Sequence, residues 1–166
     1  MNLSPVFLMK FKNTIERILH VKGNYNGGIL EMAVVIDYNL SKAQVLDVIP
    51  ALFRALKMHS EVFRNVRLNV VEWCADDVIT AKVSPMAVAG LSSYYEGYEQ
   101  QVMKKDFLKL ISYLKLFQAR SKVIILLTDG TYATGTPESV KAAMQPFLDK
   151  KMMQVVVGSE LEIIYR

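Results

Sequence analysis

The chain has one cysteine, Cys74, one tryptophan and two histidines. A single thiol excludes an internal disulfide framework and a zinc site built on cysteines, and it predicts a reducing compartment, the cytoplasm. After Trp73 at a strand end, Cys74 reads as a small buried residue. His20 and His59 are isolated, so no Ser-His-Asp or Cys-His arrangement is legible, and there is no Gly-x-x-x-x-Gly-Lys phosphate loop. No apolar run approaches the ~18 residues of a membrane span. The apolar residues 1–11 lack the compact hydrophobic region and small-residue cleavage site of a signal peptide.

What the chain does have is apolar surface. Of its 166 residues 52% are hydrophobic, enough for one domain with a proper core. That exceeds what a single small domain needs, which predicts a surface buried against a partner, either another protein or a second copy. Twenty Lys and Arg against 16 Asp and Glu give a net charge of +4. Lys104, Lys105, Lys109, Lys115, Arg120 and Lys122 cluster against Asp106 alone. No nucleic-acid motif is interleaved with them, so they read as solvated helix faces and no nucleic-acid partner is expected.

Residues 1–28 read as an amphipathic helix, with Phe7, Phe11, Ile15 and Ile18 at helical spacing, followed by a linker of turn formers. Residues 29–166 form the domain. Residues 32–37, a continuous apolar run ending in Asp37, read as a strand covered on both faces. Ser41 caps a helix whose core face is Val45, Leu46, Ile49, Leu52, Phe53 and Leu56, with Pro50 predicting a kink or irregular turn. Strands at 66–73 and 78–83 are joined by Ala75-Asp76-Asp77, too short for a parallel crossover and hence an antiparallel hairpin. A helix over 102–118 follows, with Phe107, Leu110, Ile111, Leu114 and Phe117 on one face. Next come a strand at 122–128 and a helix opened by Thr136-Pro137, with Val140, Ala143, Met144, Phe147 and Leu148 as its stripe. Strands at 152–157 and 161–165 complete the order. Strands alternating with helices predict an α/β fold: an open, mostly parallel sheet with helices on both faces, in three Rossmann-like layers.

In such sheets ligands bind beyond the carboxyl ends of the strands, where the strand order reverses. Asp37 and Asp129 both end apolar runs and are predicted to converge there, from neighbouring strands. Two readings stand side by side. Asp37, Asn39, Ser41 and Asp129 can gather oxygens around a hard cation such as magnesium. Alternatively, Asn39 and Ser41 cap the following helix and Asp129 caps a turn.

Lys122-Val-Ile-Ile-Leu-Leu-Thr-Asp129-Gly130, then Gly135-Thr136-Pro137, a helix and Met153-Gln-Val-Val-Val-Gly158, resembles the second half of a von Willebrand factor A-like domain. Residues 32–41, ending in Asp37-Tyr38-Asn39-Leu40-Ser41, resemble its first strand and Asp-x-Ser-x-Ser metal motif. The likeness spans roughly residues 29–158. It implies a metal-ion-dependent adhesion site: magnesium held through water by the first and later aspartates, and directly by two serines and a loop threonine. A partner's carboxylate completes the ion's shell. Residue by residue, Asp37, Ser41 and Asp129 match, Asn39 stands in place of the first serine, and Ser93 is preferred over Ser92 for the threonine. Lys42 places a positive charge beside Ser41. With no direct anionic ligand, magnesium is expected to bind the isolated chain weakly.

The function implied is protein binding, with or without magnesium, as a subunit or adaptor of an assembly. Tyr94 and Tyr95, in the loop beside the crevice, are the expected partner anchors. The alternative is a magnesium-dependent nuclease, because the strand-end acids also resemble those of NYN/PIN-like enzymes. Asp76, Asp77 and Glu96 would supply further carboxylates, and the basic helix 104–120 would contact phosphates.

Overall fold

The computed structural model describes residues 29–58, 65–76, 78–81, 97–117, 120–121, 123–145, 151–157 and 161–165, with positions 6, 9, 10 and 13. The N-terminal helix as a whole lies outside the described residues, as do Ser92, Ser93, Tyr94, Tyr95, Glu96 and Asp77.

The apolar run ending in Asp37 forms the central strand, β1 (Ile29–Asp37), of a six-stranded sheet. It pairs in parallel with β2 (Asn65–Ala75) on one side and with β4 (Val123–Thr128) on the other. β3 (Val78–Ala81) returns antiparallel along β2 through the short Asp-containing link, as its length requires. Beyond β4 lie β5 (Lys151–Val157), parallel, and β6 (Leu161–Tyr165), antiparallel. The order β3-β2-β1-β4-β5-β6 reverses between β1 and β4. The topological switch point is therefore at the carboxyl ends of these two strands.

Among the described residues, three helices connect the strands: α1 (Lys42–Met58), α2 (Phe107–Phe117) and α3 (Pro137–Met144). α1 opens with a capping box, in which the Ser41 Oγ accepts from the Gln44 N–H at 3.2 Å and the Ser41 N–H donates to Gln44 Oε1 at 2.8 Å. α1 runs unbroken through Pro50. Its buried residues include Val45, Val48, Ile49 and Leu52, whereas Leu46 is exposed.

α2 starts at Phe107, later than periodicity predicts. The Asp106 carboxylate accepts from the Leu108 N–H at 2.9 Å, an N-cap that fixes the first turn there. Residues 101–105 are consequently irregular and free to run across the strand ends. Thr136 caps α3 by accepting from the Ser139 N–H at 3.2 Å, with Pro137 opening the helix as expected. None of the α3 side chains is fully buried. Val140, Ala143 and Met144 pack at the edge of the core, and Phe147 and Leu148 lie outside the described residues.

One face of the sheet presents Ala33, Val35, Val71, Trp73, Ile124 and Leu126 to Phe107, Leu110, Ile111 and Leu114 of α2. Because side chains alternate along a strand, Asp37 falls on this same α2-covered face, two residues beyond Val35. Its register partner on β2 is Trp73. The opposite face is equally closed, since Met32, Val34, Ile36, Val123, Ile125 and Leu127 are all buried. Burial on both faces is why β1 and β4 read as continuous apolar runs. Phe117, expected on the buried stripe of α2, is exposed. Among the described residues, no helix is long and apolar enough to cross a membrane.

Candidate functional site

Asp37 and Asp129 do converge at one end of the sheet, from neighbouring strands, as the ordering of apolar runs predicts. Their environments differ. Asp37 is fully buried and Asp129 half-buried.

A carboxylate buried this deeply is costly unless charge and hydrogen bonds compensate it. Asp37 has both. Its Oδ1 pairs with the Lys105 ammonium, both side chains being wholly inaccessible, and also accepts from the Asn39 N–H at 2.9 Å. Its Oδ2 accepts from the Thr128 hydroxyl at 2.7 Å. That hydroxyl in turn accepts from the Gly130 N–H at 3.0 Å, a geometry that depends on the positive φ of 81° at Gly130.

Asn39 uses its whole amide. Oδ1 accepts from the Met103 N–H at 2.9 Å and from the Lys105 ammonium at 3.0 Å. Nδ2 donates to the Met103 carbonyl at 3.2 Å and to the Thr131 hydroxyl at 3.1 Å. The Thr131 hydroxyl donates to Asp129 Oδ1 at 2.7 Å, and the Thr131 N–H donates to the same oxygen at 3.1 Å. The network thus runs from Asp37 through Lys105, Asn39 and Thr131 to Asp129, tying the β1 end to the β4 end. Of the two readings left open by the sequence, Ser41 follows capping and Asp129 closes a turn. Asn39 does neither: it clamps residues 103–105 onto the strand end.

Lys105 is a site residue that the sequence alone does not mark, because a lysine within a basic cluster reads as solvent-facing. It is buried, with its Nζ 5.6 Å from the centroid of the Trp73 ring. Its backbone is held on both sides. The Lys105 carbonyl accepts from the Ala133 N–H at 2.8 Å, and the Phe107 N–H donates to the Ala133 carbonyl at 2.8 Å. The Asp106 N–H donates to Asp76 Oδ1 at 2.7 Å, anchoring the same segment to the β2–β3 turn.

Tyr98 closes the other flank. It is buried against Tyr38, with ring centroids 4.6 Å apart, and its hydroxyl donates to the Leu40 carbonyl at 2.6 Å. Burial first, then Tyr38 and the Asp37 charge, push the phenol well above its ordinary range. The Tyr38 hydroxyl donates to Glu72. The Gln101 N–H donates to the Tyr38 carbonyl at 2.8 Å, and Gln100 Nε2 donates to the Asn39 carbonyl at 2.8 Å. The segment from Tyr98 to Gln101 therefore lies against residues 38–40 at the end of β1, while Ser92 to Glu96 of the tyrosine-containing loop lie outside the described residues. The Tyr98 ring is core, whereas the expected anchors Tyr94 and Tyr95 fall outside the described residues.

Among the described residues, the donors at Asp37, Asn39 and Ser41 do not fit a divalent ion as they stand, and Ser93 lies outside the described residues. The near oxygens of Asp37 and Asn39 each take two hydrogen bonds, and an ammonium lies between them. The Ser41 hydroxyl is committed to its cap. Among the described residues, no group of three or more His, Cys, Asp and Glu is placed to hold a metal ion. No protein-family model matches this chain, and no curated protein matches it.

Proposed function

We propose that the chain is a protein-binding module of von Willebrand factor A-like, three-layered architecture that engages its partner at the carboxyl ends of β1 and β4. It acts as a subunit or adaptor in a protein assembly of the cytoplasm. The observation that carries this reading is the pair of strand-end acids at the switch point, bonded into one network with an exposed segment beside them. Val102 is 72% and Met103 51% exposed, on a backbone that the Asn39 amide holds in place. Apolar side chains on a rigid backbone suit partner binding, because little side-chain and loop entropy remains to be lost. Lys104, exposed beside them, supplies a positive group for an acidic side chain of the partner.

Magnesium is dispensable in this reading. The version in which Asp37, Asn39, Ser41, Ser93 and Asp129 hold the ion requires Lys105 to leave, and nothing in the described geometry favours that. The nuclease reading draws no support either: Asp37 is closed off by Lys105, and one oxygen of Asp76 is spent on the start of α2.

A photo-crosslinking residue placed at Met103, and for comparison at Lys141 on α3, tests the proposal in cells. A discrete protein adduct from position 103, unchanged by chelator and missing from position 141, is expected. Adducts equal at both positions, or none from 103, would refute it. RNA cleaved by the purified chain in magnesium, and spared by Asp37→Asn, would establish the nuclease instead.

A further inference from the structure

The oxygens of the β1 end converge on one point, and the chain itself fills that point. Asp37 Oδ1 and Asn39 Oδ1 both face the Lys105 ammonium, which lies near the face of a buried tryptophan. We infer that Lys105 is a tethered cation: its ammonium supplies between Asp37 and Asn39 the positive charge that a bound metal ion would supply in an oxygen-lined crevice. The strand-end site is thereby assembled without metal. The inference deepens the strand-end reading of the site and rests on it, but needs no particular partner.

The charge balance requires such a group. A fully buried carboxylate with hydrogen bonds from only a backbone N–H and a hydroxyl remains an uncompensated charge, and one ammonium neutralises it. The chemistry also suits an ammonium better than magnesium. Magnesium demands six oxygens at about 2.0–2.1 Å and keeps several of its waters. Here the oxygen on Asn39 sits at 3.0 Å, an N–H···O distance, and its other lone pair is taken by the Met103 N–H. A mobile ion comes and goes with its concentration, whereas this cation is fixed by the Ala133 and Asp76 contacts that hold residues 105–107. The same ammonium joins Asp37 to the clamp on Met103, so removing the charge should loosen the exposed segment as well as the site.

The test compares the 166-residue wild-type chain, Lys105→Ala and Lys105→Arg by thermal melting in EDTA, in magnesium chloride and in ethylammonium chloride. Broadening of backbone amide NMR signals by manganese gives a second readout. Wild type should melt at one temperature in EDTA and magnesium, with no selective broadening at Asn39 or Gly130. Lys105→Ala should melt lower and be partly restored by ethylammonium or a divalent ion, with broadening now centred on those amides. Lys105→Arg, which keeps the charge, should fold and stay indifferent to metal. Wild type stabilised by magnesium or broadened at the site would overturn the inference. So would a Lys105→Ala that melts like wild type, or one that folds and responds to no cation. If Lys105→Ala fails to fold, the wild-type and Lys105→Arg measurements decide alone. Failure here leaves the crosslinking result at Met103 untouched, and absence of crosslinks leaves metal indifference untouched.

Discussion

Replacing Lys105 by methionine keeps most of the unbranched stem, ending one atom short of the nitrogen, and removes the charge. Asp37 then keeps its two neutral donors, Asn39 N–H and Thr128 Oγ1, in a position with no access to water. Deleting one partner of a buried ion pair typically costs ~3–5 kcal/mol, because the remaining charge is stranded. The loss at Asn39 is small by comparison, since its Oδ1 still accepts from Met103. Against a total stability of ~5–15 kcal/mol the variant loses a large share. In a chain of this size the melting temperature should fall by roughly 6–20 °C. Urea unfolding followed through the single, fully buried tryptophan, Trp73, gives the number directly. Combining Lys105→Met with Asp37→Asn should recover part of the loss, because the stranded charge goes too, and the cycle should be strongly non-additive. A single variant within ~1 kcal/mol of wild type, or a double that adds to within ~0.5 kcal/mol, would refute the buried pair as a stabilising element.

Tyr98 makes stability fall in alkali. Its phenol is raised in the fold above the unfolded value of 10.0, so the unfolded chain ionises first and stability drops as pH climbs past that value. Tyr98→Phe should flatten this dependence while losing ~1 kcal/mol at neutral pH from the bond to Leu40, and an unchanged alkaline slope would count against the argument. Gly135 has a φ of +58°, and a Cβ there would lie 3.0 Å from Leu108 Cδ1, so Gly135→Ala should cost at least ~1–2 kcal/mol in urea unfolding. A neutral result would mean that the turn before α3 yields easily. The Cys74 thiol is raised by burial and by Glu72, with Lys105 opposing, so iodoacetamide should label it more slowly than free cysteine; labelling as fast or faster would contradict that.

Much of the frame was legible because it follows from short-range rules. Met32 to Ile36 and Val123 to Leu127 are apolar without interruption because both faces of their strands are covered. Ser41 and Thr136 announce helix starts by their chemistry. The link after Ala75 is too short for anything but a hairpin, and the meeting of Asp37 with Asp129 follows from the order of strands. Lys105 was not legible. It reaches Asp37 from 68 residues further along the chain. No local pattern distinguishes it from Lys104 or Lys109, both exposed. Its burial depends on where α2 begins. The helical period across Val102 to Lys105 conceals that start, and the Asp106 cap sets it. Asn39 was half legible: its place in the motif marked it, but a side-chain amide serves equally as ligand, cap or clamp. Only its position opposite Met103 selects the last.

An ammonium, and not an ion from solution, sits among the strand-end oxygens. A crystal structure of the wild-type chain grown in manganese, with anomalous data, tests this most directly. Lys105 Nζ should lie between Asp37 Oδ1 and Asn39 Oδ1, with no anomalous peak beside them. A manganese peak between Ser41 and Asp129, with Lys105 turned out to solvent, would contradict it.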